Sequence, residues 1–454
     1  MSNIPESEIL SVESLFLKNF FDRINEAEIE YCVLRNYESL PYSLNGSDLD
    51  ILVGKTDLLR FREILTTVVR DNGGNIIAQY KTGLFYGMCF CAKSPLGWWG
   101  VQCDVYSEIV YRGIPYYDSQ KVLTRSIMNN QIRICHSTDS DIITALKECL
   151  PNSIFRKDYY QKAVYCYRQD PSYHYFQTAK NFGEKAAIAW DRLLNSGGTK
   201  DVKKIAKIIR IGLFKTNLTR KPFQTCKNFI HYQIDRFSRL FRRPGFFIAF
   251  LGSDGAGKSS IINLIQLPLE SALHGALCYE HLRPNFLPSL ARLFHRNENQ
   301  ISITEPHKSS PSGFWGSLVR LTYYTCDYIT GFWLKVYPEM VRRPTLFIFD
   351  RYFYDYLFDP RRSRINLPTW IIKLFSILIP KPDLIFCLGA NPEIMHARKP
   401  ELPLDEIVRQ IEILKAFCTK EKRTVWIDTS HAPERSADEA LSVIVQRMAA
   451  RYES

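Results

Sequence analysis

The chain has 454 residues, more than one hydrophobic core accommodates, since single cores stop growing at roughly 250–300 residues; two or three domains are expected. With 46% apolar, 23% charged and 13% aromatic residues the composition is globular, which excludes a disordered, collagen-like or wholly fibrous chain. The 59 Lys and Arg against 47 Asp and Glu leave a net charge of +12, a balance common in chains that meet phosphates, nucleic acid or anionic membrane surfaces.

The first residues, MSNIPESEILSVESLFLKNFF, carry acids early and lack a basic start followed by an apolar run, so no signal peptide is expected. The most apolar stretch, Thr369 to Ile379, is interrupted by Lys373 and stopped by Pro380, far short of the ~20 residues that span a bilayer. Twelve cysteines are scattered from Cys32 to Cys418 with no CxxC pair. Reduced thiols in the cytoplasm are the simplest expectation.

In chain order, the N-terminal part opens with a helix at Val12 to Ile24, followed by a strand at Tyr31 to Leu34 and a turn-rich loop from Arg35 to Ser47. A strand at Leu49 to Val53 and a helix at Thr56 to Arg70 come next. Two further strands, Leu84 to Cys91 and Val101 to Tyr106, flank the turn signal SPLGWWG, and the pattern is helical from Asp139 through Asn195.

NGSDLDILV places Asp48 and Asp50 two apart in a strand, hence on one face of a sheet, and VQCDVY supplies Asp104 from another strand. Three carboxylates on adjacent strands suit two Mg²⁺ ions that activate a nucleophile and steady a departing pyrophosphate. The competing reading is three ordinary strand-end acids. Gly-Ser, an apolar-flanked DxD and a later lone Asp together resemble the polymerase-β-type nucleotidyltransferase fold, an α+β arrangement. The resemblance implies Asp48, Asp50 and Asp104 as metal ligands and a nucleoside triphosphate as partner. Gly46-Ser47 abut Asp48 directly, instead of opening a helix well before it, so Arg35 and Asn36 are the residues expected to meet the triphosphate.

From Lys200 to Arg243 thirteen Lys or Arg face two acids, Asp201 and Asp235, so this segment holds +11 of the +12. Ile205, Ile208, Ile209 and Gly212 recur at helical spacing, as do Phe229, Ile230, Ile234 and Phe237. Three roles are open: basic helices bridging two domains, contact with an anionic membrane surface, and nucleic-acid binding. The last lacks an accompanying motif, and no specific nucleic acid is expected. The expected division is residues 1–195, a basic helical linker at 196–243, and 244–454.

The C-terminal part alternates strand and helix, with strands at Phe246 to Gly252, Thr345 to Asp350, Asp383 to Gly389 and Thr424 to Asp428. Helices are expected at Ser259 to Gln266, Leu318 to Val336, Leu404 to Phe417 and Ala437 to Arg447. Alternation with strands apolar from end to end predicts a parallel α/β sheet. After the first strand comes Gly252-Ser253-Asp254-Gly255-Ala256-Gly257-Lys258-Ser259, followed by Ser260, a full GxxxxGK[ST] pattern in its strand–loop–helix setting. Such glycines let backbone N–H groups turn toward a phosphate chain; Lys258 neutralises transferring charge and the Ser259 hydroxyl ligates Mg²⁺. ATP and Mg²⁺ are therefore the expected ligands. LFIFDRYFYD ends a strand in Asp350-Arg351, placing an anion where Mg²⁺ needs one and a guanidinium for a phosphate-bearing acceptor.

The loop DGAGKSS, the triplet Asp350-Arg351-Tyr352, PDLIFCLGANPE and VWIDTS occur in that order in thymidylate kinases and related nucleoside-monophosphate kinases, which the last 210 or so residues resemble. The resemblance implies that Asp254 touches the acceptor, that Arg351 holds its phosphate, and that a lid near Met395 to Arg409 carries the cations Arg398, Lys399 and Arg409. The lid here is short, and a Pro- and His-rich insertion, HLRPNFLPSLARLFHR, precedes Leu318. YYTCDYITGF and DPRR cluster charges, Asp327 among them, around the expected acceptor pocket; for DPRR a solvated turn is the other reading.

Three functions follow as expectations. The first is an ATP-dependent kinase of a small phosphorylated or hydroxylated acceptor, fused to a nucleotidyltransferase-like domain for successive steps on one metabolite. The second is a thymidylate kinase with a silent N-terminal domain. The third is a non-enzymatic ATP-binding scaffold at the inner face of the membrane. A homodimer is an open expectation.

Overall fold

In a computed structural model, residues 11–95, 97–196, 198–288 and 312–452 are described. The start of the segment read against a signal peptide, and the second half of the Pro- and His-rich insertion, lie outside them. The chain divides into two compact units, Met1–Phe241 and Arg242–Ser454.

The first unit begins with α1 (Val12–Glu26), where the Ser11 hydroxyl caps the Ser14 N–H and Phe16, Leu17, Phe20, Phe21 and Ile24 form its buried stripe. It continues as β1 (Tyr31–Val33), β2 (Leu49–Val53), α2 (Leu58–Asp71), β3 (Gly74–Thr82), β4 (Phe85–Ser94), β5 (Gly97–Tyr106), β6 (Val110–Tyr111), β7 (Ile114–Pro115), α3 (Ser119–Thr124), β8 (Ile127–Asn129) and β9 (Ile132–Ile134). Helices α4 (Ser137–Asn152), α5 (Lys157–Gln169), α6 (Pro171–Phe182), α7 (Glu184–Asn195), α8 (Val202–Arg220) and α9 (Pro222–Ser238) follow.

Seven strands form one mixed sheet in the order β3-β4-β5-β2-β1-β9-β8; β2 runs parallel to β5 and β1 to β9, and the other pairs are antiparallel. Alternation along β2 sends Leu49, Ile51 and Val53 into the core beneath α1 and α2, and Leu52 into the core shared with α4, α7 and α8. Ser94 ends β4 and Gly97 to Gly100 open β5, so both strands run into the SPLGWWG segment expected as a turn. β3 was not foreseen, because its burial does not alternate.

The segment expected as a linker does not stand apart. Val202, Ile205, Ala206, Ile209 and Leu213 of α8 belong to the core of the first unit. Gly212 lets α8 pass against the end of α6: a Cβ there would lie 2.1 Å from the Phe182 carbonyl oxygen.

The second unit runs β10 (Phe246–Leu251), α10 (Lys258–Leu273), β11 (Leu277–His281), α11 (Phe314–Gly331), a π-helical turn (Phe332–Val336), α12 (Tyr337–Arg342), β12 (Leu346–Asp350), α13 (Asp355–Phe358), α14 (Thr369–Ser376), β13 (Leu384–Gly389), α15 (Pro392–Arg398), α16 (Leu404–Lys420), β14 (Thr424–Asp428) and α17 (Pro433–Ala449). Its five strands are all parallel, in the order β11-β12-β10-β13-β14. Every residue of β10, FFIAFL, is buried, as both-face coverage of a central parallel strand requires.

Candidate functional site

β10 lies at the centre of its sheet and the Gly252–Gly257 loop leaves its carboxyl end for the N-terminus of α10, where backbone N–H groups are unpaired by the helix. Gly255 and Gly257 have φ of +82° and +78°. At Gly255 a side chain is excluded twice over, because a Cβ would also come within 2.5 Å of the Met395 carbonyl oxygen.

Register explains the company this loop keeps. Asp350 pairs with Phe250 of β10 on one side and His281 of β11 on the other, so the ends of three strands meet at the loop. The Ser259 hydroxyl is 3.5 Å from Asp350 Oδ2, which also accepts from the Tyr279 hydroxyl at 3.0 Å. Asp350 Oδ1 is buried without a protein partner, as are the hydroxyls of Ser253 and Thr429. Lys258 donates to the carbonyls of Gly252 (2.8 Å) and Ser253 (3.1 Å), and burial, assisted by Arg351, pushes its ammonium down to about 8.

Asp254 organises the cations opposite. Its carboxylate accepts from Arg351 and Arg362, each at 2.6 Å, and lies 3.8 Å from Lys399. Burial opposes its ionisation, yet Arg351, Arg362, Lys258 and Lys399 hold it well below the usual carboxylate range. Arg351, itself at φ +74°, is fixed on its other side by Asp355 at 2.6 Å. Burial raises Asp355 to about 6 against the pull of Arg351. A cavity of about 270 Å³ is lined by Asp254, Gly255, Gly257, Lys258, Ser259, Ser260, His281, Asp350, Arg351, Arg362 and Lys399.

The loop residues, Asp350 and Arg351 are thus brought together. Arg398 is exposed and donates to the Thr429 carbonyl at 2.9 Å, while Arg409 pairs with Glu406 and donates to the Phe358 carbonyl. Asp327 does not join the cavity; fully buried, it accepts from Arg283 at 2.9 Å and from the Leu287 N–H at 2.7 Å, tying residues 283–287 to α11. His281 is the addition, and Arg362 comes from the DPRR segment expected near the acceptor pocket. His281 ends a strand, LCYEH, that is neither a continuous apolar run nor an alternating one, and DPRR was a charged turn with two readings.

A second constellation lies in the first unit. Asp50 and Asp104 are register partners on the parallel strands β2 and β5, and Asp48 precedes Asp50 by two; one oxygen from each lies within 4.8 Å of the others. The row continues across the sheet through Gly87 to Tyr80, and the missing side chain of Gly87 leaves the room that the Tyr80 ring fills. Arg35 forks both carboxylates, donating to Asp48 at 3.1 Å and to Asp50. Lys147, from α4, reaches Asp50 at 2.6 Å. Burial works against the charge on Asp50, but Lys147 and Arg35 outweigh it and hold the group down at about 2; burial with Asp50 and Asp48 alongside pushes Asp104 up to about 7. The donor set fits a divalent cation, three carboxylates at bonding separation, although two cationic side chains already answer its charge. Arg35, expected to meet a triphosphate, is engaged with the aspartates themselves.

No protein-family model matches the chain. It is 25% identical, over 207 residues amounting to 44% of this chain and 95% of the relative, to a probable thymidylate kinase of Pyrobaculum aerophilum. Among solved structures, the thymidylate kinase of Ehrlichia chaffeensis is similar at 15% identity and a TM-score of 0.32, with 44% of this chain and all of that one covered. Nothing in these comparisons supports a nucleotidyltransferase fold for the N-terminal half. The chain is distantly homologous to the thymidylate-kinase-like family over part of its length.

Proposed function

We propose that the second unit is an ATP-dependent phosphotransferase acting on a nucleoside monophosphate, with thymidylate the first acceptor to try. The observation that carries this reading is the buried, partnerless Asp350 Oδ1 beside the Ser259 hydroxyl and Lys258, at the mouth of a glycine loop. Ser259 and Asp350 would hold Mg²⁺, which neutralises charge across phosphates when bound. Lys258, resting on two carbonyls, exchanges them for phosphate oxygens, and the N–H groups from Gly255 to Ser259 cradle the same anion. Arg351 and Arg362, held side by side by Asp254, present a preorganised pair of guanidinium groups to the acceptor phosphate. Lys399 supplies a further cation from beyond α15. The probable thymidylate kinase it resembles favours a thymidylate-type acceptor over a sugar.

The test is ADP formation by the pure protein with ATP, Mg²⁺ and a panel of nucleoside monophosphates and sugars. Thymidylate-dependent turnover is expected, falling about 10²- to 10³-fold in Lys258→Ala. Equal turnover by wild type and Lys258→Ala would remove the kinase assignment.

The in-register pair Asp50 and Asp104, with Asp48, favours a second reading for the first unit: metal-dependent nucleotidyl transfer, with these three carboxylates as ligands. Pyrophosphate release from nucleoside triphosphates, lost in Asp50→Asn and Asp104→Asn, is the expected signature. Its absence from wild type under every triphosphate and acceptor tried would leave this half silent and the kinase as the sole activity.

A further inference from the structure

α9 is docked with its faces reversed. A helix on a protein surface ordinarily buries its apolar stripe and shows its polar face to water. In α9 the buried positions are Thr225 and Asn228, and just beyond its end the Arg239 side chain is also buried. Asp235 accepts the Gly83 N–H at 2.6 Å, and Arg239 donates to the Lys81 carbonyl at 2.7 Å while lying over the Tyr80 ring. Two glycines admit this polar face. A Cβ on Gly113 would lie 2.7 Å from the Asn228 carbonyl oxygen, and one on Gly83 would touch Tyr232.

The opposite face, read at 100° per residue, carries Phe223, Ile230, Ile234 and Phe237 in line, exposed by 91, 55, 59 and 63%, and Phe241, in the turn beyond the helix, is 79% exposed with its ring against that of Phe237. Ile211, Phe214 and Leu218 of α8 are exposed as well, and the Phe214 ring packs against Phe229. Neither interior packing nor chance scatter accounts for an aligned stripe of this kind. The same two helices hold most of the chain's positive excess, and Asp235, the one acid of α9, is turned inward onto Gly83.

We infer that the α8–α9 face docks the protein onto an anionic phospholipid surface. Apolar side chains flanked by Lys and Arg on a helix lying in the plane of the interface are what such a surface takes up, the apolar groups entering about 5–10 Å and each nearby cation adding about 1 kcal/mol. Charge selects the occupant. A second copy placed symmetrically on this face would bring two strongly positive segments together, and nucleic acid would leave the aliphatic stripe unused. The inference stands apart from the phosphotransferase reading and needs no activity to test.

Full-length protein is spun down with vesicles of phosphatidylcholine and phosphatidylglycerol (3:1) and with phosphatidylcholine alone. Pelleting with the anionic vesicles is expected, weakened by salt and reduced at least tenfold in Ile230→Gln/Phe237→Gln/Phe241→Gln, whose positions are exposed so that the circular dichroism spectrum stays that of wild type. Protein that remains in the supernatant at low salt, or a triple variant that pellets like wild type, would overturn the inference. Equal pelleting with neutral vesicles would overturn the choice of an anionic surface. Cys226 is exposed close to the same stripe, and a polarity-sensitive fluorophore on it, in a Cys326→Ser background, reports the occupant directly. A blue shift on adding anionic vesicles is expected; a label already shifted in their absence, and unmoved by them, would show that protein covers the face instead.

Discussion

His174 is 1% exposed and neither ring nitrogen has a partner within the protein, so burial holds the imidazole down at about 4. The folded state therefore refuses a proton that the unfolded chain accepts below about 6.5, and stability falls as the pH drops from there toward 4. At about 1.4 kcal/mol per pH unit the loss comes to roughly 3 kcal/mol. Urea unfolding of the full chain at pH 7 and at pH 4.5 is expected to show this acid destabilisation of the first unit, and His174→Phe to remove most of it; an unchanged slope in the variant would place the acid lability elsewhere. At this scale much of the site was legible. The glycine loop, Lys258, Ser259, Asp350 and Arg351 are contiguous motifs whose chemistry is local, so their identities carry to three dimensions. Asp327 is taken up by Arg283, and Arg35 by Asp48 and Asp50, because an ionisable side chain takes the nearest opposite charge, and which charge is nearest is not a property of sequence distance.

At the scale of elements, Gly212 decides how α8 packs. The would-be Cβ meets a backbone carbonyl, which cannot swing aside as a side chain end would, so Gly212→Ala forces α8 away from α6. The alanine gains about 1 kcal/mol of helix propensity but is expected to lose more to overpacking, for a net destabilisation of about 1–2 kcal/mol in urea unfolding. Stabilisation by the substitution would mean that the helices separate freely. Periodicity placed Gly212 correctly on one stripe with Ile205 and Ile209. It also grouped Ile230, Ile234 and Phe237 of α9, but the stripe that periodicity identifies is only a shared face. Which face is buried was settled by Asp235, Arg239 and the two glycines opposite, none of which carries an apolar signal. The strands β3 and β11 escaped notice because neither is a continuous apolar run or alternates strictly, and β6 to β9 because each is only two or three residues long.

For the whole molecule, two units with separate cores predict separate responses to ligand. In calorimetry with Mg²⁺ and a non-hydrolysable ATP analogue at about 100 times its dissociation constant, the transition of the second unit should gain about 2.7 kcal/mol and that of the first should stay in place, with Lys258→Ala abolishing the gain. Equal shifts of both transitions would speak for a nucleotide site in each unit. No described helix is long and apolar enough to cross a membrane. The amino-acid sequence by itself determined the opening arithmetic of more than one domain, the phosphate loop, the three aspartates and the concentration of charge between residues 200 and 243. These depend on composition and on short-range spacing, which any fold must respect. The tertiary structure alone decided that Asp50 stands opposite Asp104, that Asp254 gathers Arg351, Arg362 and Lys399, and that α8 and α9 belong to the first unit with the apolar side of α9 outward. Strand register and helix docking are cooperative outcomes of the whole packed core, and no local stretch of residues encodes them.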